Sequence, residues 1–73
     1  MSIFHEYGVR VVNRDFEPFE ESFHEFGADN HKAIDFYRRC ANVKDTCGIK
    51  STVTAERKDG DGEWKVVFKR EID

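Results

Sequence analysis

His24 and His31 with Cys40 and Cys47 bring together imidazoles and thiols, the usual ligands of zinc. Structural zinc sites space their cysteines about two to four residues apart. Here six residues lie between Cys40 and Cys47, so the spacing predicts no zinc site. Asp59, Asp61 and Glu63 place carboxylates at alternating positions, as the start of a calcium loop does. The rest of that loop's ligand order is missing, and Asp59-Gly60-Asp61-Gly62 is accounted for as a turn. Glu20 and Glu21 are paired carboxylates, but general acid–base work needs a cleft that positions them. Cys40 has no accompanying nucleophile motif, and it falls on an apolar helical stripe where a thiol is inert. No catalytic, cofactor-binding or metal-binding residue is therefore assigned, and the chain reads as a non-enzymatic protein without cofactor.

The elements that would carry these residues follow from periodicity. Residues 3–12 alternate, with Ile3, His5, Tyr7, Val9 and Val11 on one face and Glu6 and Arg10 on the other, which predicts a strand. Asn13-Arg14-Asp15 supplies turn residues, and Pro18 follows. Residues 16–26 admit two readings. Phe16, Phe19, Phe23 and Phe26 have helical spacing, with Asp15 as a cap and Pro18 in the first turn. Aromatic content and the short connection to a hairpin partner favour instead a strand from Phe19 to Phe26, and we adopt the strand. Gly27 breaks the pattern, and Asp29 or Asn30 caps a helix running to Val43. Its core stripe is Ala33, Ile34, Tyr37, Cys40 and Ala41, widened by Phe36 and Val43, with Lys32, Asp35, Arg38, Arg39 and Asn42 on the wet side. Gly48 ends the connection, and a disulfide from the end of the helix at Cys40 to Cys47 in the following loop is geometrically open. Two reduced thiols are the expectation in a cytoplasmic protein. Residues 49–58 and 63–71 form a hairpin about the Asp-Gly turn, with Trp64, Val66 and Phe68 inward and Lys65, Lys69 and Glu71 outward. The fold class is thus α+β: a single β-β-α-β-β domain over residues 1–73, mainly antiparallel, with one helix on one face of a four-stranded sheet.

A 73-residue chain buries a small core, roughly 60% of the surface its unfolded form exposes. Seven Phe, two Tyr and one Trp compensate with large rings. No run approaches the roughly 20 apolar residues of a membrane span. The start, Met1 to Glu6, has neither the basic nor the apolar part of a secretory signal. The expected compartment is the cytoplasm.

Charge is the main functional clue. Residues 1–36 hold eight acids against three bases, whereas residues 37–73 hold nine bases against seven acids. From Asp15 to His31 there are six acids and no base, interleaved with phenylalanines. Such a patch attracts basic partners, speeds their docking and repels phosphate backbones. Asp15, Glu17, Glu20, Glu21, Glu25 and Asp29 would supply the field, with Phe16 and Phe19 as exposed apolar anchors. An acidic surface that only confers solubility is the plainer account. The alternative site is a basic ridge of Arg38, Arg39, Lys44, Lys50, Arg57, Lys58, Lys65, Lys69 and Arg70 that holds nucleic acid. Glu56, Glu63 and Glu71 dilute that ridge. A third class is a structural subunit that assembles with itself.

Three passages, Tyr7-Gly8-Val9-Arg10-Val11, Phe26-Gly27 with Lys32-Ala33-Ile34-Asp35-Phe36-Tyr37, and Asp59-Gly60-Asp61-Gly62-Glu63-Trp64-Lys65-Val66-Val67, give the chain a pattern that resembles small phage and prophage accessory proteins. The stretch Asp15 to Glu21 is longer and more acidic than the tight turn common in that class. The resemblance implies a β-β-α-β-β domain that disables or redirects a host protein, and it carries over no catalytic residue. Combined with the charge, it sets the expectation of an inhibitor acting in the host cytoplasm. Its target would be a basic host protein, such as a DNA-binding or nucleoid-associated one, engaged by DNA mimicry.

Overall fold

β-branched residues crowd residues 9–12 and 51–54, and these segments fall in the two inner strands of a sheet. The computed structural model describes residues 5–60 and 62–73. The expected strand positions Ile3 and Phe4, and Asp61 of the turn, lie outside the described residues. The elements are β1 (Glu6–Asn13), β2 (Glu20–Gly27), α1 (Asn30–Cys47), β3 (Ser51–Lys58) and β4 (Trp64–Ile72). The strands form one antiparallel sheet in the order β2-β1-β3-β4, and α1 packs on one face. The α+β, β-β-α-β-β architecture is thus as expected.

The ambiguous phenylalanine stretch is a strand, at the edge of the sheet. Its helical spacing is not used: Phe16 and Phe19 fall in the loop before β2, and Phe23 and Phe26 point to opposite faces of the strand. Opposite Tyr7 and Gly8, β2 carries an extra residue, Phe26, which bulges toward α1 and meets Phe36 at 5.3 Å.

α1 begins where Asp29 accepts a hydrogen bond from the Lys32 N–H, 3.0 Å away. It runs four residues past Val43, the end expected from the apolar stripe, to Cys47. Only at Gly48, with φ of 67°, does the chain turn left-handed, and Gly48 N–H and Ile49 N–H close on the Asp45 and Lys44 carbonyls. Val43 is 57% exposed and does not widen the core stripe. The extension also removes the disulfide. Seven helical residues separate the two Cα atoms by about 10.5 Å, beyond the roughly 7 Å limit for a bridge, and both thiols are free.

The core between helix and sheet is small: Val9, Val53, Ala33 and Ile72, flanked by half-buried Tyr7, Val11, Phe26, Phe36, Tyr37 and Cys40. β4 departs from simple alternation. Ala55 pairs with Phe68, but its neighbour Glu56 pairs with Val66, so Val67 is extra. Val67 and Phe68 lie on the helix side, whereas Val66 and Trp64 pair with Glu56 and Lys58 on the opposite, open face. Trp64, Val66 and Phe68 therefore do not share the inward face, because one bulge inverts the phase of the strand.

That open face carries its own small core. The Phe23 ring, reaching over from β2, meets Trp64 from β4 edge-on at 4.9 Å. It lies directly over Gly8, where a Cβ would come within 2.4 Å of its Cζ. Arg10 stacks 4.8 Å from the Phe23 centroid. No helix among the described residues is long and apolar enough to cross a membrane.

Candidate functional site

The loop between β1 and β2 is held by its first two residues. The Arg14 N–H donates to the Lys50 carbonyl at 2.8 Å. The Arg14 guanidinium donates to the Ser51 and Ile72 carbonyls at 3.1 and 2.9 Å and reaches the Asp73 carboxylate at 2.8 Å. It therefore joins the loop to the adjoining ends of β3 and β4. The Asp15 carboxylate accepts from the Lys50 N–H at 3.1 Å, and the Asp15 N–H donates to Asn13 Oδ1 at 3.0 Å.

With the root tied down, the loop presents its tip outward. Phe16 and Phe19 are each 54% exposed. Glu17 and the cis-linked Pro18 lie between them. Glu17 and Glu20 make no ion pair among the described residues, whereas Glu21 lies 3.2 Å from Arg10 Nη1. Phe16, Glu17, Phe19, Glu20 and Glu21 are thus gathered at one end of the sheet.

The remaining acids are placed differently. Asp15 is occupied in holding the loop, and Asp29 caps α1 beyond the far end of β2. Glu25 lies four strand residues from Glu21, about 13 Å along the edge. Its charge helps hold the Lys58 ammonium above the ordinary lysine range, though the Glu6 hydrogen bond and charge do most of that. Alternation also divides the strand's acids, with Glu21 and Glu25 on the open face and Glu20 on the helix side. Six acids lie close along the chain from Asp15 to Asp29; folding brings three of them together at the loop. The signal that separates them is positional, since an Asp directly before a helix or two residues past the end of a strand serves as a cap or turn residue.

The basic residues are mostly neutralised. Arg39 pairs with Asp35 at 2.9 Å, Arg57 with Asp59 at 2.8 Å, and Lys58 with Glu6 at 2.9 Å. Lys69 pairs with Glu71 at 3.3 Å and Arg70 with Asp45 at 3.0 Å. Lys65 approaches Asp59 at 3.5 Å. Dehydration pushes the Asp59 carboxyl up, but the Arg57 hydrogen bond and the charges of Arg57, Lys65 and His5 outweigh it and hold the group below the usual range. Arg38, Lys44 and Lys50 are left without an ion pair among the described residues, and they do not make a continuous ridge.

Among the described residues no three His, Cys, Asp or Glu side chains gather as metal ligands. His24 stacks on Phe36 at 4.7 Å, and Cys40 packs toward the core. What the sequence reading missed is the open-face cluster of Phe23, Trp64, Arg10 and Glu56. Its one sequence signal is Gly8, a glycine inside a strand, which marks the close approach of another group.

Compared with protein-family models, curated proteins and solved structures, the chain matches none.

Proposed function

We propose that this chain is a non-enzymatic binding protein that docks its acidic phenylalanine loop on a basic surface of another protein and so blocks or redirects it. The observation that carries the reading is the anchored loop, with Phe16 and Phe19 both 54% exposed beside Glu17 and Glu20, which make no ion pair among the described residues. Exposed aromatics surrounded by like charge are the composition of an interface anchor with a polar rim. The carboxylates steer a cationic surface toward the rings, and the rings supply the area that is dehydrated on contact. The phage-type resemblance sets this in the cytoplasm of a host cell, with a DNA-binding or nucleoid-associated protein as target. Mimicry of a phosphate backbone is its narrower form, and Glu17, Glu20 and Glu25 are the carboxylates available for it, Glu21 being paired with Arg10.

The test is affinity capture from a lysate of the source cell at low and high salt, with three baits. Wild type recovers a basic protein that is lost at high salt, as screening requires. Phe16→Ser/Phe19→Ser and Glu17→Lys/Glu20→Lys each reduce that recovery at least about tenfold. Capture that neither variant alters, or recovery of nucleic acid in place of protein, overturns the reading.

A further inference from the structure

α1 leaves part of the helix side of β4 uncovered. Val67 and Phe68 are 46% and 50% exposed there. With Tyr7, Ala33, Ile34 and Tyr37 they line an apolar groove of about 480 Å³, and the Phe68 and Tyr37 rings lie 6.1 Å apart. A groove of several hundred Å³ accepts a bulky side chain. Arg38 stands on its rim and makes no ion pair among the described residues; Arg57, paired with Asp59, and Glu56, paired with Arg10, line it as well.

The Phe16–Phe19 loop has the complementary composition: two exposed rings with Glu17, Glu20 and Glu21 beside them. The loop follows the last residue of β1, Asn13, whereas the groove reaches Tyr7 near its first. Roughly 20 Å of strand separates those two positions, and the loop is tied at its root to β3 and β4. A loop so placed does not reach the groove of its own molecule. Two loops facing each other would oppose like charges, which disfavours a symmetric contact through the loop.

We infer that the α1–β4 groove receives the Phe16–Phe19 loop of a second copy of this chain, with Glu17 or Glu20 meeting Arg38. The contact is heterologous, head to tail, so a pair of copies leaves one loop and one groove free between them. The inference rests in part on the loop being a contact surface, as proposed above. Self-association then covers the loop, and a basic partner competes for it.

Sedimentation velocity of the full chain over a concentration series tests this with two variants, the loop variant Phe16→Ser/Phe19→Ser and the groove variant Arg38→Glu/Phe68→Lys. Circular dichroism confirms that each is folded, and Arg38→Glu alone serves if the double groove variant is not. Wild type associates progressively with concentration, and less at high salt. Each variant alone raises the dissociation constant at least about 30-fold. The two variants mixed form a one-to-one dimer that grows no further, because the groove variant keeps its loop and the loop variant keeps its groove. Wild type that stays monomeric, a loop variant that associates like wild type, or a mixture that stays monomeric overturns the inference. Loss of a lysate partner by the loop variant while wild type is monomeric leaves the proposed function standing and removes only this contact. Head-to-tail association with no loop-dependent partner does the reverse.

Discussion

Gly8 shows how one residue sets the arrangement of a face. It sits in an inner strand with no unusual backbone angle, so its smallness matters and not its flexibility. The space a Cβ would fill is taken by the Phe23 ring, 2.4 Å from that position. The ring is held from the side by Trp64 and from above by Arg10. Gly8→Ala therefore displaces the ring and costs about 1–3 kcal/mol, the usual penalty of overpacking. Chemical denaturation measures the loss, and the near-ultraviolet signal of Trp64 changes with it. Gly8→Ala/Phe23→Leu recovers part of the stability, since a smaller side chain makes room for the methyl group.

At the scale of the element, α1 separates two cysteines that look alike in the sequence. Cys40 faces the core, and burial pushes its thiol above the ordinary range, with the Lys44 charge opposing only weakly. Cys47 occupies the last turn and is exposed. Since the thiolate is the reactive form, a raised pKa means less thiolate at a given pH. Reaction with a disulfide reagent at pH 8 should show one fast and one slow thiol, assigned by Cys47→Ser and Cys40→Ser. The slow phase should keep accelerating above the ordinary thiol range, as the raised Cys40 thiol requires. Equal rates would mean that α1 does not hold Cys40 against the sheet.

Among the described residues one helix serves a sheet with two faces, so the open face is covered by the sheet's own side chains. Polar groups supply much of that cover. Glu56 is only 6% exposed and accepts hydrogen bonds from Arg10 Nε at 2.8 Å and Thr54 Oγ1 at 3.0 Å. Arg10 also reaches Glu21, so one guanidinium links β2, β1 and β3, and the Glu56 hydrogen bond and charge hold it above its usual pKa despite partial dehydration. Arg10→Ala leaves a carboxylate unpaired in a dry setting. The expected loss is about 2 kcal/mol by thermal or chemical unfolding. Arg10→Ala/Glu56→Gln should lose less than the sum of the single changes, because the second removes the charge that the first strands. A strictly additive result would show that the pair is not coupled.

Strand, turn and helix identities were legible in the sequence because each depends on neighbours a few residues away: alternation in β1 and β3, Asp-Gly in the last turn, and Asp29 before the helix. The same locality explains why Phe16 and Phe19 could be read as exposed while Phe23 could not be placed on a face. The bulges at Phe26 and Val67, the pairing of Arg10 with Glu56 across 46 residues, and the edge positions of β2 and β4 depend on which strands meet and in what register. Those are long-range choices, decided by how one short helix and four strands bury a small core, and no local pattern encodes them. Charge follows the same division. The excess of acids before residue 32 is a property of the chain, but which carboxylates stay unpaired depends on the partners folding brings near them: among the described residues Glu17 and Glu20 meet none, Glu21 meets Arg10, and Asp15 and Asp29 meet backbone N–H groups.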